Sequence, residues 1–108
     1  MKIQLVYTTC HTVDEAKIIA ETLVEEKLCA CANIFPGMIS IYKDASGITP
    51  HTETSLFLKT TNTNHDLLIE RLLEIHPYDC PCVLTLSPSH WNEAFAGWVV
   101  DACGIYKS

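Results

Sequence analysis

The sequence predicts a single α+β domain built on a four-stranded antiparallel sheet. Segments rich in β-branched or alternating apolar residues are interleaved with segments in which apolar residues recur every three or four positions, a pattern typical of strands alternating with amphipathic helices. Turn and capping residues separate these segments. The 108 residues fit one domain, residues 1–108, and the 48% hydrophobic content is enough for an apolar core.

The first strand and the first helix are predicted within residues 2–28. Residues 2–9 are rich in β-branched and aromatic types, which favours a strand. Thr12 and Glu15 have the spacing of a capping box, so a helix is expected to begin beside them. The apolar positions of this helix follow spacings of three and four: Ala16, Ile19, Ala20, Leu23, Val24 and Leu28.

A long hairpin is predicted after the first helix. Residues 29–43 form one strand that Pro36-Gly37 interrupts with a bulge or bend. Asp44-Ala45-Ser46-Gly47 supplies turn residues, and residues 52–61 return as the third strand. Pro50 is expected at a frayed or edge end of that strand, because proline cannot donate a ladder hydrogen bond.

The last three elements are a helix, a short strand and a terminal helix. Asn64 is the predicted N-cap of the second helix, which ends at His76-Pro77. Residues 82–87 predict the fourth strand, and Ser89 is expected to cap a terminal helix that ends at Gly104. The order βαββαβ with an added C-terminal helix is that of the ferredoxin-like fold, in which both main helices cover one face of the sheet.

The acidic composition argues against nucleic-acid and membrane partners. Seven Lys and Arg residues stand against 13 Asp and Glu residues, which gives a net charge of −6 and no general attraction to phosphate backbones or anionic lipids. The N-terminal segment lacks the apolar region of a signal peptide. These observations predict a cytoplasmic protein whose six cysteines are reduced thiols.

Several segments together resemble the CutA family of divalent-cation tolerance proteins. The resemblance covers nearly the whole chain in the right order and spacing. It rests on Thr8-Thr9, residues 28–34 (LCACANI), Pro36-Gly37, residues 40–42 (SIY), residues 58–61 (LKTT), His76-Pro77-Tyr78, Pro81 and Trp98.

The resemblance implies a trimer of ferredoxin-like subunits that associate through their sheet edges, much as the PII signal-transduction proteins do. The predicted hairpin over residues 39–61 is long for so small a domain, and an exposed edge of that length is expected to need a covering partner. The family is known for tolerance to copper and other divalent metals, and no catalysed reaction is attached to it. The resemblance therefore implies a metal-binding or regulatory role in which no cofactor is required for folding.

Candidate metal ligands form the densest group of soft donors in the sequence. His76, Cys80 and Cys82 lie within seven residues, and two thiolates with an imidazole suit Cu(I) or Zn(II). Where the family commonly has Pro-Glu, this chain has Pro81-Cys82, a change from carboxylate to thiol that favours softer ions. The alternative is that both cysteines pack as small apolar residues and that the His76 ring bonds a neighbouring carbonyl to fix the turn.

A second candidate site uses polar residues that resemble family positions near a cleft between subunits: Asn33, Tyr42, Glu53 and Lys59. Such groups would bind a small molecule, which makes a PII-like regulatory module the alternative function. The competing interpretation of these residues is salt bridging between subunits.

An enzyme is the least favoured function. Small ferredoxin-like domains that hydrolyse acyl phosphates need a positioned Arg, and the only Arg of the chain, Arg71, is predicted in the middle of the second helix. Neither a Gly-rich phosphate loop nor a Ser/His/Asp order is visible.

Overall fold

The structure is a computed structural model that describes residues 2–104, so Met1 and residues 105–108 of the predicted domain lie outside it. Four strands and three helices follow in the predicted order. They are β1 (Ile3–Cys10), α1 (Val13–Glu25), β2 (Cys31–Asp44), β3 (Gly47–Thr61), α2 (His65–Ile75), β4 (Val83–Leu86) and α3 (Glu93–Cys103). The strands form one antiparallel sheet in the order β2-β3-β1-β4. The prediction of a ferredoxin-like α+β fold with an added C-terminal helix is confirmed.

Helix α1 begins at the predicted cap and ends earlier than its apolar pattern suggests. The Thr12 hydroxyl accepts a hydrogen bond from the Glu15 amide at 3.1 Å, while the Glu15 carboxylate accepts from the His11 amide at 2.9 Å. Lys27 has a φ of 61°, and the Leu28 amide donates to the Leu23 carbonyl at 3.0 Å. This is a Schellman motif, so Leu28 reaches the core from the turn rather than from the helix.

Two other helix starts differ in detail from the sequence patterns. Asn64 precedes α2 as predicted, but its side chain makes no capping bond and instead donates from Nδ2 to the Lys27 carbonyl at 3.2 Å. The prediction that Ser89 caps α3 is wrong, because the helix starts after Asn92. The chain before α3 runs without helical structure so that Trp91 can pack against the apolar cluster beneath the helix.

The β2–β3 hairpin is longer than predicted, because β3 begins at Gly47 rather than at Thr52. Pro50 is accommodated well inside the strand. Since β1 pairs with β3 only as far as Thr54, no strand within residues 2–104 lies along one side of β3 at Pro50. Residues 38–44 and 47–53 therefore form a two-stranded arm, and the molecule is elongated, 46 × 27 × 20 Å.

The two faces of the sheet carry different layers. One face packs against α1 and α2 through a buried apolar core that includes Val6, Leu56 and Leu58. Helix α3 lies on the opposite face, near one end of the sheet, where Val99 and Cys103 cover Ile3. The remainder of that face is called the open face below. None of the helices in residues 2–104 is long and apolar enough to cross a membrane.

Candidate functional site

The His76 ring is fixed by two hydrogen bonds. The residue is 7% exposed, its Nε2 donates to the Thr9 carbonyl at 2.9 Å, and its Nδ1 accepts from the Tyr78 amide at 3.1 Å. These contacts match the alternative to metal binding, in which the His76 ring fixes the turn between α2 and β4. Either nitrogen would have to give up its partner to bind a metal ion.

When the pH drops below about 6.5, the His76 side chain is expected to lower the stability of the protein. Burial lowers the pKa of His76, outweighing the opposite effects of the Thr9 carbonyl and Glu15. Above the unfolded pKa of about 6.5, the His76 imidazole is neutral in both the folded and the unfolded protein. Below that pH the imidazole takes up a proton more readily in the unfolded chain than in the folded one. The stability that the neutral ring contributes is therefore lost as the pH falls. Thermal unfolding between pH 5 and pH 8 should show a smaller loss on acidification in His76→Gln than in the natural chain. His90→Gln, at an exposed position, should keep the natural profile.

The Cys80 and Cys82 thiols are both exposed, and all six cysteines, which lie within residues 2–104, are unpaired. The structure does not bring them together with His76 into a preformed site. Within those residues, no group of three or more His, Cys, Asp or Glu side chains is placed to hold a metal ion. The two thiols are therefore the part of the predicted metal site that one chain presents to solvent.

Glu53 and Tyr78 connect this region to the open face. The Tyr78 hydroxyl donates to Glu53 Oε2 at 3.0 Å, and burial together with that carboxylate raises the pKa of Tyr78. The Tyr78 ring also contacts the rings of His11 and His76, with centroids 4.3 and 4.7 Å away. Tyr78 was not a predicted site residue; its place in the His76-Pro77-Tyr78 segment was the only signal in the sequence.

Cys82 lies on the side of the sheet that carries Tyr7. Burial raises the pKa of Tyr7, and electrostatic interactions with Cys82 and Glu53 raise it further. The Tyr7 hydroxyl donates to the Met38 sulfur at 3.5 Å. A predicted metal ligand, Cys82, and a predicted ligand-binding residue, Glu53, therefore influence the same phenol.

A β-bulge determines which face carries the second candidate site. Asn33 pairs with Phe57 and Tyr42 pairs with Thr49, but the register shifts between Phe35 and Met38. In an uninterrupted strand, residues of odd and even number point to opposite faces; the extra residue at the bulge brings Asn33 and Tyr42 to the same face.

The four predicted ligand-binding residues are nevertheless spread along the sheet. From Lys59 to Thr49, the partner of Tyr42, β3 extends about 34 Å at about 3.4 Å per residue. The Tyr42 ring stacks on His51 at 4.5 Å, whereas the Lys59 ammonium lies 5.6 Å from the centre of the Phe95 ring. One chain does not gather them into one pocket.

Arg71 is engaged by two carboxylates. It donates to both carboxylate oxygens of Glu26 at 2.9 and 3.0 Å and to Glu74 at 3.0 Å, which ties the end of α1 to α2. The hydrogen bonds from Arg71 lower the pKa of Glu26. The guanidinium that anion chemistry would require is thus held between helices.

Comparisons of the sequence and of the structure with known proteins give the same result. A sequence model described as CutA1 divalent ion tolerance protein matches residues 4–102. The divalent-cation tolerance protein CutA of Thermus thermophilus is 35% identical over 101 residues, 94% of this chain and 98% of that protein. The crystal structure of divalent ion tolerance protein CutA1 from Ehrlichia chaffeensis superposes with a TM-score of 0.93 at 40% identity, covering 97% of this chain and 99% of that one. The crystal structure of CutA1 from Oryza sativa gives a TM-score of 0.88 at 30% identity, covering 94% of each chain.

Proposed function

The chain belongs to the CutA1 divalent ion tolerance protein family, and from this premise we propose that it is a trimeric, non-enzymatic protein that binds copper or another soft or divalent metal ion in metal response. The observation that carries the proposal is the exposed Cys80-Pro81-Cys82 segment, whose two thiols are unpaired. Reduced thiols of this kind fit a cytoplasmic location.

The donor set favours soft ions. Thiolates bind Cu(I) and Zn(II), and thiol in place of carboxylate lowers the preference for hard cations. Cys80 and Cys82 would hold the ion, and His76 would join only by releasing the Thr9 carbonyl or the Tyr78 amide. None of these residues belongs to the apolar core, which supports folding without the metal.

An anaerobic competition titration with Cu(I), Cu(II) and Zn(II) on reduced protein tests this function. Cys80→Ser with Cys82→Ser should weaken Cu(I) binding by more than about 100-fold, because the loss of a ligand exceeds the roughly 10–100-fold effect of losing its outer partners. Cys31→Ser, a partly buried cysteine on β2, is the matched control and should bind as the natural chain does. Binding that is absent, or indifferent to the double change, would contradict the metal function.

The trimer is supported by the apolar arm of the hairpin. Ile39, Ile41 and Ile48 are 67%, 70% and 71% exposed and lie where the arm projects beyond the helices. Monomers rarely leave such a group uncovered, and an open strand edge favours pairing with another chain. A second copy of the chain is the partner that the family resemblance indicates. Light scattering during gel filtration should give three times the 12.1 kDa chain mass.

A second candidate function is the binding of a small molecule between copies of the chain. It is supported by the distance along the sheet that separates the predicted ligand-binding residues, which are Asn33, Tyr42, Glu53 and Lys59. Because one chain does not gather them, a small-molecule site built from them would combine residues of neighbouring copies. This PII-like function predicts ligand binding that survives Cys80→Ser with Cys82→Ser.

A further inference from the structure

A cavity of about 320 Å³ lies between the sheet face that carries α3 and the chain that leads into that helix. Ile3 and Leu5 of β1 form its floor, and Trp91 and Phe95 form an aromatic wall. Its volume is at the lower end of the range for small-molecule sites.

The cavity of this acidic protein contains a cationic side chain. Lys59 and His90 line it, and no Asp or Glu of residues 2–104 is among its lining residues. Among the described residues, Lys59 has no ion-pair partner; its ammonium lies 5.6 Å from the centre of the Phe95 ring. A cation–π contact uses none of the three N–H donors of an ammonium, so these remain available to an anion.

The walls determine what kind of anion fits. A single ammonium matches one carboxylate, whereas a phosphate dianion is usually held by a bidentate Arg or by several donors. Trp91, Phe95 and Leu5 offer apolar and aromatic surface on which a flat ring can stack. We infer that this cavity binds a small carboxylate with a flat apolar body, with the carboxylate at Lys59 and the ring against Trp91.

A charge series of one ligand skeleton tests the inference. Phenylacetate, phenylacetamide and phenethylammonium carry the same ring with charges of −1, 0 and +1. Each is titrated into ¹⁵N-labelled, metal-free protein while the indole N–H signals of Trp91 and Trp98 are followed, with Trp98→Phe assigning them. Phenylacetate should shift the Trp91 signal with a dissociation constant of about 1 mM or lower. The amide and the ammonium should bind at least tenfold more weakly.

Variants separate the Lys59 charge from general packing. Lys59→Met keeps an apolar stem beside Phe95 and should weaken phenylacetate binding at least tenfold, whereas Lys43→Met, an exposed residue of β2, should leave it unchanged. Equal binding of acid and amide, no shift at Trp91, or full binding by Lys59→Met would each overturn the inference. The ligand series on the unchanged chain decides the question even if Lys59→Met folds poorly. Phenylacetate should also bind Cys80→Ser with Cys82→Ser, so a failure of the metal function would leave this result intact.

Discussion

Ile41→Lys combined with Ile48→Lys is expected to convert the proposed trimer into single folded chains. Both residues are about 70% exposed in the isolated chain and lie outside its buried core, so lysine there should cost the monomer little stability. In an assembly that covers the arm, the same change buries two charges on each copy without partners, which is strongly unfavourable. Light scattering should show the mass falling from three chains to one, while circular dichroism keeps the spectrum of the folded protein.

The control places the same chemistry on the helices. Ile18→Lys with Leu73→Lys alters two residues of α1 and α2 that are 66% and 51% exposed and lie outside the arm. This variant should keep the mass of the natural assembly. A trimer that persists when the arm carries two lysines would contradict the assignment of the arm as the interface.

Leu58→Ala is expected to lower the free energy of unfolding by about 2–5 kcal/mol. Leu58 is fully buried in β3, and its neighbours across the two ladders, Val6 and Ala32, belong to the same core. The smaller side chain leaves a cavity that the surrounding strands and helices cannot fill. Chemical denaturation at a fixed protein concentration measures the loss, because association adds to apparent stability.

Leu73→Ala gives the comparison for a leucine that is 51% exposed on α2. It should change the free energy of unfolding by less than about 0.5 kcal/mol, as is usual for surface positions. Similar losses for both variants would mean that the core between the sheet and the helices is not the main source of stability.

Local patterns were sufficient where neighbouring residues decide the structure. The capping interaction of Thr12 with Glu15 spans three residues, and the positive φ of Gly104 follows the last turn of α3. The start of α3 could not be predicted in this way. Ser89 is chemically a good cap, but Trp91 packs against residues of β1 and α3, and that contact keeps the preceding segment out of the helix.

The candidate site was predictable as a set of residues but not as an arrangement. The motif around His76 and the Cys80-Pro81-Cys82 segment are visible in the sequence. That the His76 ring donates to Thr9, 67 positions away, is not. The bond between Tyr78 and Glu53, 25 positions apart, cannot be seen in the sequence either, because it requires the loop after α2 to fold against the middle of β3.

By itself, the sequence determined the α+β class, the order of the seven elements and the resemblance to the CutA family, because strand and helix periodicities and short motifs are local properties of the chain. The tertiary structure alone decided which candidate residues share a face, through the bulge between Phe35 and Met38, and which polar groups are engaged. It also placed Lys59 in a cavity with Trp91 and Phe95 at the start of α3. These features depend on contacts between distant segments, which form only when the sheet and helices pack together.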